Sequence, residues 1–197
     1  MKITTDINNV WSFHRYLVAQ GMDLVSTRAI TEAAEMLIGA AHQNDPMFVA
    51  GNGASAALSQ HWACDHLKGS SSNYYSNHVI SLASNMALIT AIGNDYGYEQ
   101  VFTEQLARQT SPHTSGVVIL ISASGKSPNI VHTAEFVQTQ RRRLKLISLT
   151  GFAGEPLRSL SAINLHVPIN EYEAVEDVHN AVMHVLAKIV KQELTSR

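Results

Sequence analysis

Two short stretches of this sequence concentrate groups that bind anions, and two others concentrate groups that move protons. The first anion candidate is Ala50-Gly51-Asn52-Gly53-Ala54-Ser55-Ala56, directly after the apolar run 47–50. Its two glycines permit left-handed backbone and close approach of amides to a ligand, and Ser55 is placed to cap a following helix. The second is Ile121-Ser122-Ala123-Ser124-Gly125-Lys126-Ser127-Pro128, after the run 117–121. One helix cap needs one hydroxyl, and this stretch supplies three around a glycine, so a phosphate is the expected ligand. Lys126 is expected to face solvent, and the Gly-x-x-x-x-Gly-Lys-Ser/Thr spacing of a nucleotide-phosphate loop is absent. The proton-moving candidates are His61 with Asp65, four residues apart and so on one helix face, and Glu176, His179 and His184 near the C-terminus. His179 reads alternatively as a surface or interface histidine. Cys64, with nothing beside it that marks a nucleophile, reads as a small core residue.

These groups need a frame. Apolar runs at 47–50, 78–82, 117–121, 144–149 and 163–167 are short, and several are rich in β-branched residues, as in strands buried on both faces. Helical patterns lie between and after them, at about 55–68, 85–93, 98–109, 127–140 and 173–193. Alternation of this kind predicts a three-layer α/β fold, helices on both faces of a five-stranded parallel sheet. Ligands of such folds sit at the carboxyl ends of the strands, where both anion candidates fall. Residues 7–43 read as a helical segment with a break or bend at Gly21. The expected organisation is one domain over 1–197, with an N-terminal helical segment (1–43) and an α/β core (44–197).

Composition narrows the function classes. At 197 residues, 45% hydrophobic and 15% charged, the chain can bury a full core without staples. A net charge of -2 argues against nucleic acid bound by bulk electrostatics. One cysteine allows no internal disulfide, the first residues lack the apolar core of a signal peptide, and the longest apolar run is too short to cross a bilayer. The expected location is the cytoplasm.

Taken in order, Gly51-Asn52-Gly53-Ala54-Ser55-Ala56-Ala57, Gly93-Asn94-Asp95-Tyr96-Gly97, Ile121-Ser122-Ala123-Ser124-Gly125-Lys126-Ser127 and Leu149-Thr150-Gly151 resemble the sugar isomerase (SIS) domain. The likeness extends over nearly the whole chain, including Glu176-Asp177-Val178-His179, and is strongest to the phosphoheptose isomerase branch. The resemblance implies a flavodoxin-like fold and interconversion of sedoheptulose 7-phosphate with D-glycero-D-manno-heptose 7-phosphate for bacterial envelope polysaccharide. It implies Asp65 as general base and His184 as general acid. His61, Asp65, Glu176 and His184 would hold the zinc ion found in some members. Asn52, Gly53, Ala54, Ser55, Asn94, Asp95, Ser122, Ala123, Ser124, Ser127 and Glu176 would line the substrate site. A homotetramer with active sites near subunit interfaces is also implied. Some members of the family are instead non-catalytic adaptors or sensors, one of which binds a replication initiator. The retained pair Asp65 and His184 favours the enzyme.

Three positions depart from the branch. Asp65 stands where Glu is usual and is shorter by about 1.5 Å; a misplacement near 1 Å can cost ~100-fold in rate. Glu176 replaces a usual Gln, and Ala123 a usual Thr. Glu176 and His184 lie eight residues apart, about 12 Å along a regular helix. Sharing one ion would therefore require an irregular helix start or a second subunit, with Glu176 and His179 as the alternative pair on one face.

Overall fold

In the computed structural model, which describes residues 4–70, 78–141 and 143–196, the apolar runs form a five-stranded parallel sheet. Its strands are β1 (Met47–Gly51), β2 (Val79–Ser81), β3 (Gly116–Ser122), β4 (Leu144–Gly151) and β5 (Ile163–Val167). They lie in the order β2-β1-β3-β4-β5. Every neighbouring pair is parallel.

Side chains along a strand alternate between faces, and the two faces carry separate apolar layers. Val117, Ile119 and Ile121 enter the first, while Val118 and Leu120 enter the second. Four helices cover the first face: α1 (Ile7–Leu24), α2 (Thr27–His42), α3 (Ala54–Cys64) and, from the chain's end, α8 (Tyr172–Thr195). The second face takes α4 (Met86–Tyr96), α5 (Thr103–Gln109), α6 (Pro128–Gln140) and the single turn α7 (Leu157–Leu160). Trp62 of α3 and Phe102 before α5 are among the largest fully buried side chains of their respective layers. Each such side chain stabilises the fold by about 1.5–3 kcal/mol through burial.

The N-terminal helical segment departs from expectation at its break. Gly21 lies inside α1 and is buried; a Cβ there would stand 3.0 Å from Val178 Cγ2 and 3.1 Å from Val167 Cγ1. Its absent side chain lets α1 lie close against α8 and β5. The break falls at Val25 and Ser26, where the Ser26 side chain caps α2 by accepting from the Ala29 amide at 3.3 Å.

His179 also departs, being 1% exposed within α8 with no hydrogen-bond partner for either ring nitrogen among the described residues. Burial holds its imidazole at about 4, below the usual 6.5; the Thr150 backbone pulls the other way but lies outside hydrogen-bonding geometry. The unfolded chain takes up this proton near pH 6.5 and the folded protein only near 4. Stability from this residue is therefore complete above pH 6.5 and is lost as pH falls towards 4, approaching about 3 kcal/mol. His179→Leu removes the proton uptake and sacrifices no hydrogen bond. Its urea midpoint is expected to fall less than the wild type's between pH 7 and pH 5, and equal falls would contradict the linkage.

Candidate active site

Strand order brings the two anion candidates together. β1 and β3 are neighbours in register, with Gly51 opposite Ile121, so the turns after them leave the sheet side by side. Strand order reverses between these two strands, and that crevice is where parallel sheets of this kind hold ligands.

In the first turn, a Cβ on Gly51 would lie 2.6 Å from Ser55 Cβ, so only glycine fits. Gly53, at φ 55°, turns the chain into α3 two residues earlier than expected and occupies the cap position itself. Ser55 is consequently no cap: it is a buried first-turn residue packed over Gly51, while Ala54 is exposed. In the second turn, Ser122 Oγ and Ser127 Oγ stand 3.3 Å apart, and Ser124 Oγ accepts from the Lys126 amide at 3.3 Å. Ser127 leads into α6 without bonding its amides, Pro128 follows, and Lys126 is exposed as expected. Ala123 differs from expectation in that its side chain joins the first apolar layer, leaving only backbone to face a ligand. α3 and α6 thus both begin at this crevice without a side-chain cap, so two helix N-termini, the ends that favour phosphate, open on it.

Asn52 bridges these turns. Its Nδ2 donates to Asn129 Oδ1 at 2.8 Å, and its Oδ1 accepts from Asn129 Nδ2 at 2.9 Å and from the Tyr98 hydroxyl at 3.0 Å. Sequence reasoning missed Asn129 and Tyr98, although each adjoins a quoted motif: Asn129 follows Pro128, and Tyr98 follows Gly97. Asn94 and Asp95 lie exposed on the last turn of α4, with Asn94 Nδ2 donating to Asp95 Oδ1 at 2.9 Å.

The proton-moving residues meet between α3 and α8. At Asp65 the α3 ladder widens into one π turn, Asp65–Ser70, which packs against α8. Asp65 then stands between two imidazoles: Oδ1 is 3.4 Å from His61 Nε2, and Oδ2 is 3.6 Å from His184 Nε2. The two rings meet edge to face, 4.9 Å between centroids. One ligand atom from each residue lies within 4.8 Å of the other two. Two imidazole nitrogens and a carboxylate are donor types that suit zinc, and each carboxylate oxygen stands at 3.4–3.6 Å from one of those nitrogens.

Glu176 stays outside this set. α8 is helical throughout Tyr172–Thr195, so Glu176 lies about 12 Å up the axis from His184. The irregular helix start considered above does not occur, and His179 is too deeply buried to serve as Glu176's exposed metal partner. Instead Glu176 lines a cavity of about 280 Å³ between α3 and α8, together with Ser55, Leu58, His61 and His179. Its carboxyl is pushed above the usual range, first by burial and then by the neighbouring charges of Glu173 and Asp177. The shift moves it towards the neutral state of the amide usual at this position. Cys64, one residue before Asp65, is exposed rather than in the core, because the face of α3 that packs on the sheet carries Leu58 and Trp62.

Comparison with known proteins agrees with this geometry. The SIS domain model matches residues 18–151, which span both turns, the crevice and the His61–Asp65 pair. The chain belongs to the SIS domain family. A phosphoheptose isomerase of Trichlorobacter lovleyi is 33% identical over 89% of this chain and 87% of its own. Another, from Burkholderia pseudomallei, is 28% identical over 98% and 96%. Among solved structures, a phosphoheptose isomerase from Francisella tularensis superposes with TM-score 0.85 at 27% identity, covering 94% of this SIS chain and 96% of its own.

Proposed function

We propose that this chain is a sugar-phosphate isomerase that interconverts sedoheptulose 7-phosphate and D-glycero-D-manno-heptose 7-phosphate, supplying bacterial envelope polysaccharide. The observation that carries this reading is the cavity between α3 and α8. It begins at Ala54 and Ser55 beside the phosphate turns and reaches His61, about 9 Å along α3. An extended phosphorylated sugar would put its phosphate at one end and its carbonyl carbons at the other, near Asp65 and His184. The relatives named phosphoheptose isomerase support the choice of a seven-carbon sugar.

Isomerisation moves one proton between adjacent carbons and another between their oxygens. Asp65 is assigned the carbon-bound proton, taken from one carbon and returned to the next. His184, across the same carboxylate, is assigned the oxygen-bound proton. His61 holds the other carboxylate oxygen and limits its rotation. The serines of the second turn and the amides of α3 and α6 fix the phosphate. His61, Asp65 and His184 would hold a zinc ion, which when bound supplies a Lewis acid for the developing enediolate oxygens.

We also assign a homotetramer, with sites near the subunit interfaces. α1 supports this by exposing Ile7, Val10 and Phe13, three residues apart along one side of the helix, at 58–61% of their surface. Such a contiguous apolar face is a mark of an interface. His14 of the same helix pairs at 2.8 Å with Asp177, next to Glu176, so the interface would adjoin the cavity. Full turnover by a sedimenting monomer would overturn the shared site. Among the described residues no helix is long and apolar enough to cross a membrane. The reaction is assigned to the cytoplasm because phosphorylated sugars do not cross bilayers unaided.

Sedoheptulose 7-phosphate incubated with the protein in D₂O is expected to yield aldose 7-phosphate carrying deuterium at the reacting carbon. Exchange is expected to fall after treatment with a chelator and to return with zinc. Failure to exchange deuterium into this or any other ketose phosphate, with binding retained, would make the chain a sugar-phosphate sensor. Undiminished turnover of a demonstrably metal-free protein would remove zinc from the assignment.

A further inference from the structure

The Asn52 side chain joins three separate segments of the site. Its oxygen accepts two hydrogen bonds, from Asn129 Nδ2 at 2.9 Å and the Tyr98 hydroxyl at 3.0 Å, which uses both lone pairs. Its nitrogen gives one hydrogen to Asn129 Oδ1 at 2.8 Å, leaving a single N–H for anything bound in the crevice. Asn129 is 2% exposed and its carbonyl accepts from Thr133 Oγ1 at 2.7 Å, so its position on α6 is well defined. Tyr98 follows Gly97, whose φ of 94° turns the chain out of α4 just beyond Asn94 and Asp95. Asn52 belongs to the first phosphate turn, Asn129 to the helix that opens at the second, and Tyr98 to the segment beyond α4.

We propose that Asn129 and Tyr98 are positioning residues which, through Asn52, hold the two phosphate-binding turns and the end of α4 at the separation that fits one sugar phosphate. The inference rests on the reading of these turns as the phosphate anchor. A reciprocal amide pair sets both distance and orientation, because each amide must face the other edge-on to make both bonds. Backbone pairing of β1 with β3 ends at Gly51 and Ile121, so the strut acts where the sheet no longer holds the turns together. Its contribution is to ground-state binding of the phosphate end; the reacting carbons lie at the far end of the cavity. Loosening it therefore raises KM and leaves kcat nearly unchanged.

The test uses Asn129→Ala and Tyr98→Phe in the full chain, with sedoheptulose 7-phosphate as substrate and inorganic phosphate as competing probe. Asn129→Ala is expected to raise KM and the phosphate inhibition constant together, by about tenfold, with kcat within about twofold. Tyr98→Phe keeps its ring, lies at an exposed position that folding tolerates, and is expected to raise both by about threefold. If Tyr98→Phe leaves both constants at wild-type values, or if either folded variant loses kcat with KM unchanged, the strut is overturned. If phosphate does not compete even with the wild type, the anchor reading itself fails, and the positioning role fails with it.

Discussion

Asp65→Asn is expected to lower kcat for isomerisation by about 10²–10⁴-fold, the usual contribution of a positioned general base, while leaving the fold intact. The amide keeps the size of the carboxylate but cannot accept a proton from carbon. Asp65 is partly exposed, at 31% of its side-chain surface, so its replacement strands no buried charge. Deuterium exchange separates this from a binding defect: the variant should bind the sugar phosphate and fail to exchange its carbon-bound proton. Asp65→Glu restores a base, one methylene longer, and is expected to recover much of what Asn loses. Its carboxylate must still reach between His61 Nε2 and His184 Nε2, now 3.4 and 3.6 Å from the shorter side chain. Wild-type turnover in Asp65→Asn would end the assignment of Asp65 as base.

Gly125→Ala is expected to destabilise the protein by about 3 kcal/mol or more. It should lower the midpoint of thermal unfolding by about 6–12 °C for a chain of this size. Gly125 sits at φ 71°, and a Cβ there would press on the carbonyl of Gly154, which is backbone and cannot swing aside. The turn would have to open, taking with it the hydrogen bonds from the Gly125 amide to the Ser122 carbonyl (3.0 Å) and from the Leu157 amide to the Gly125 carbonyl (3.3 Å). Because this turn carries Ser122, Ser124 and Ser127, KM for the sugar phosphate should rise in the same variant. Gly39→Ala is the matched control. It lies within α2 with nothing inside 4 Å of the added carbon, so the same change there should stabilise by about 0.5–1 kcal/mol. Equal effects of the two substitutions in scanning calorimetry would remove the strain argument.

The strands were legible because apolar runs bounded by turn residues have few alternatives, and all five lie within a few residues of their expected places. The two anion candidates were singled out by an excess of hydroxyls and glycines over the needs of one helix cap, and strand order sets them side by side. Errors arose where a residue's role depends on its neighbour across space. Gly21 read as a break because glycine weakens an isolated helix, yet here it makes room for Val178 and Val167. Cys64 read as core because cysteine is commonly buried, but helix phase placed it outward. His179 read as a surface or interface residue because histidine is seldom fully buried, yet Val175, Val182 and Met183 at helical spacing place it on the buried stripe of α8.

The order of motifs along this chain was sufficient by itself to reveal the family resemblance, and the alternation of apolar runs with helical patterns to reveal the parallel α/β architecture, because both are written in local sequence. Tertiary structure alone decided which titratable groups meet. His184 reaches Asp65 because the turn after α3 widens and packs on α8, whereas Glu176, eight residues earlier on the same helix, is carried about 12 Å from His184 by the regular helical rise. The Asn52–Asn129–Tyr98 strut is of the same kind. Its members come from three elements and touch only because parallel pairing sets β1 beside β3, a neighbour relation that no local pattern encodes.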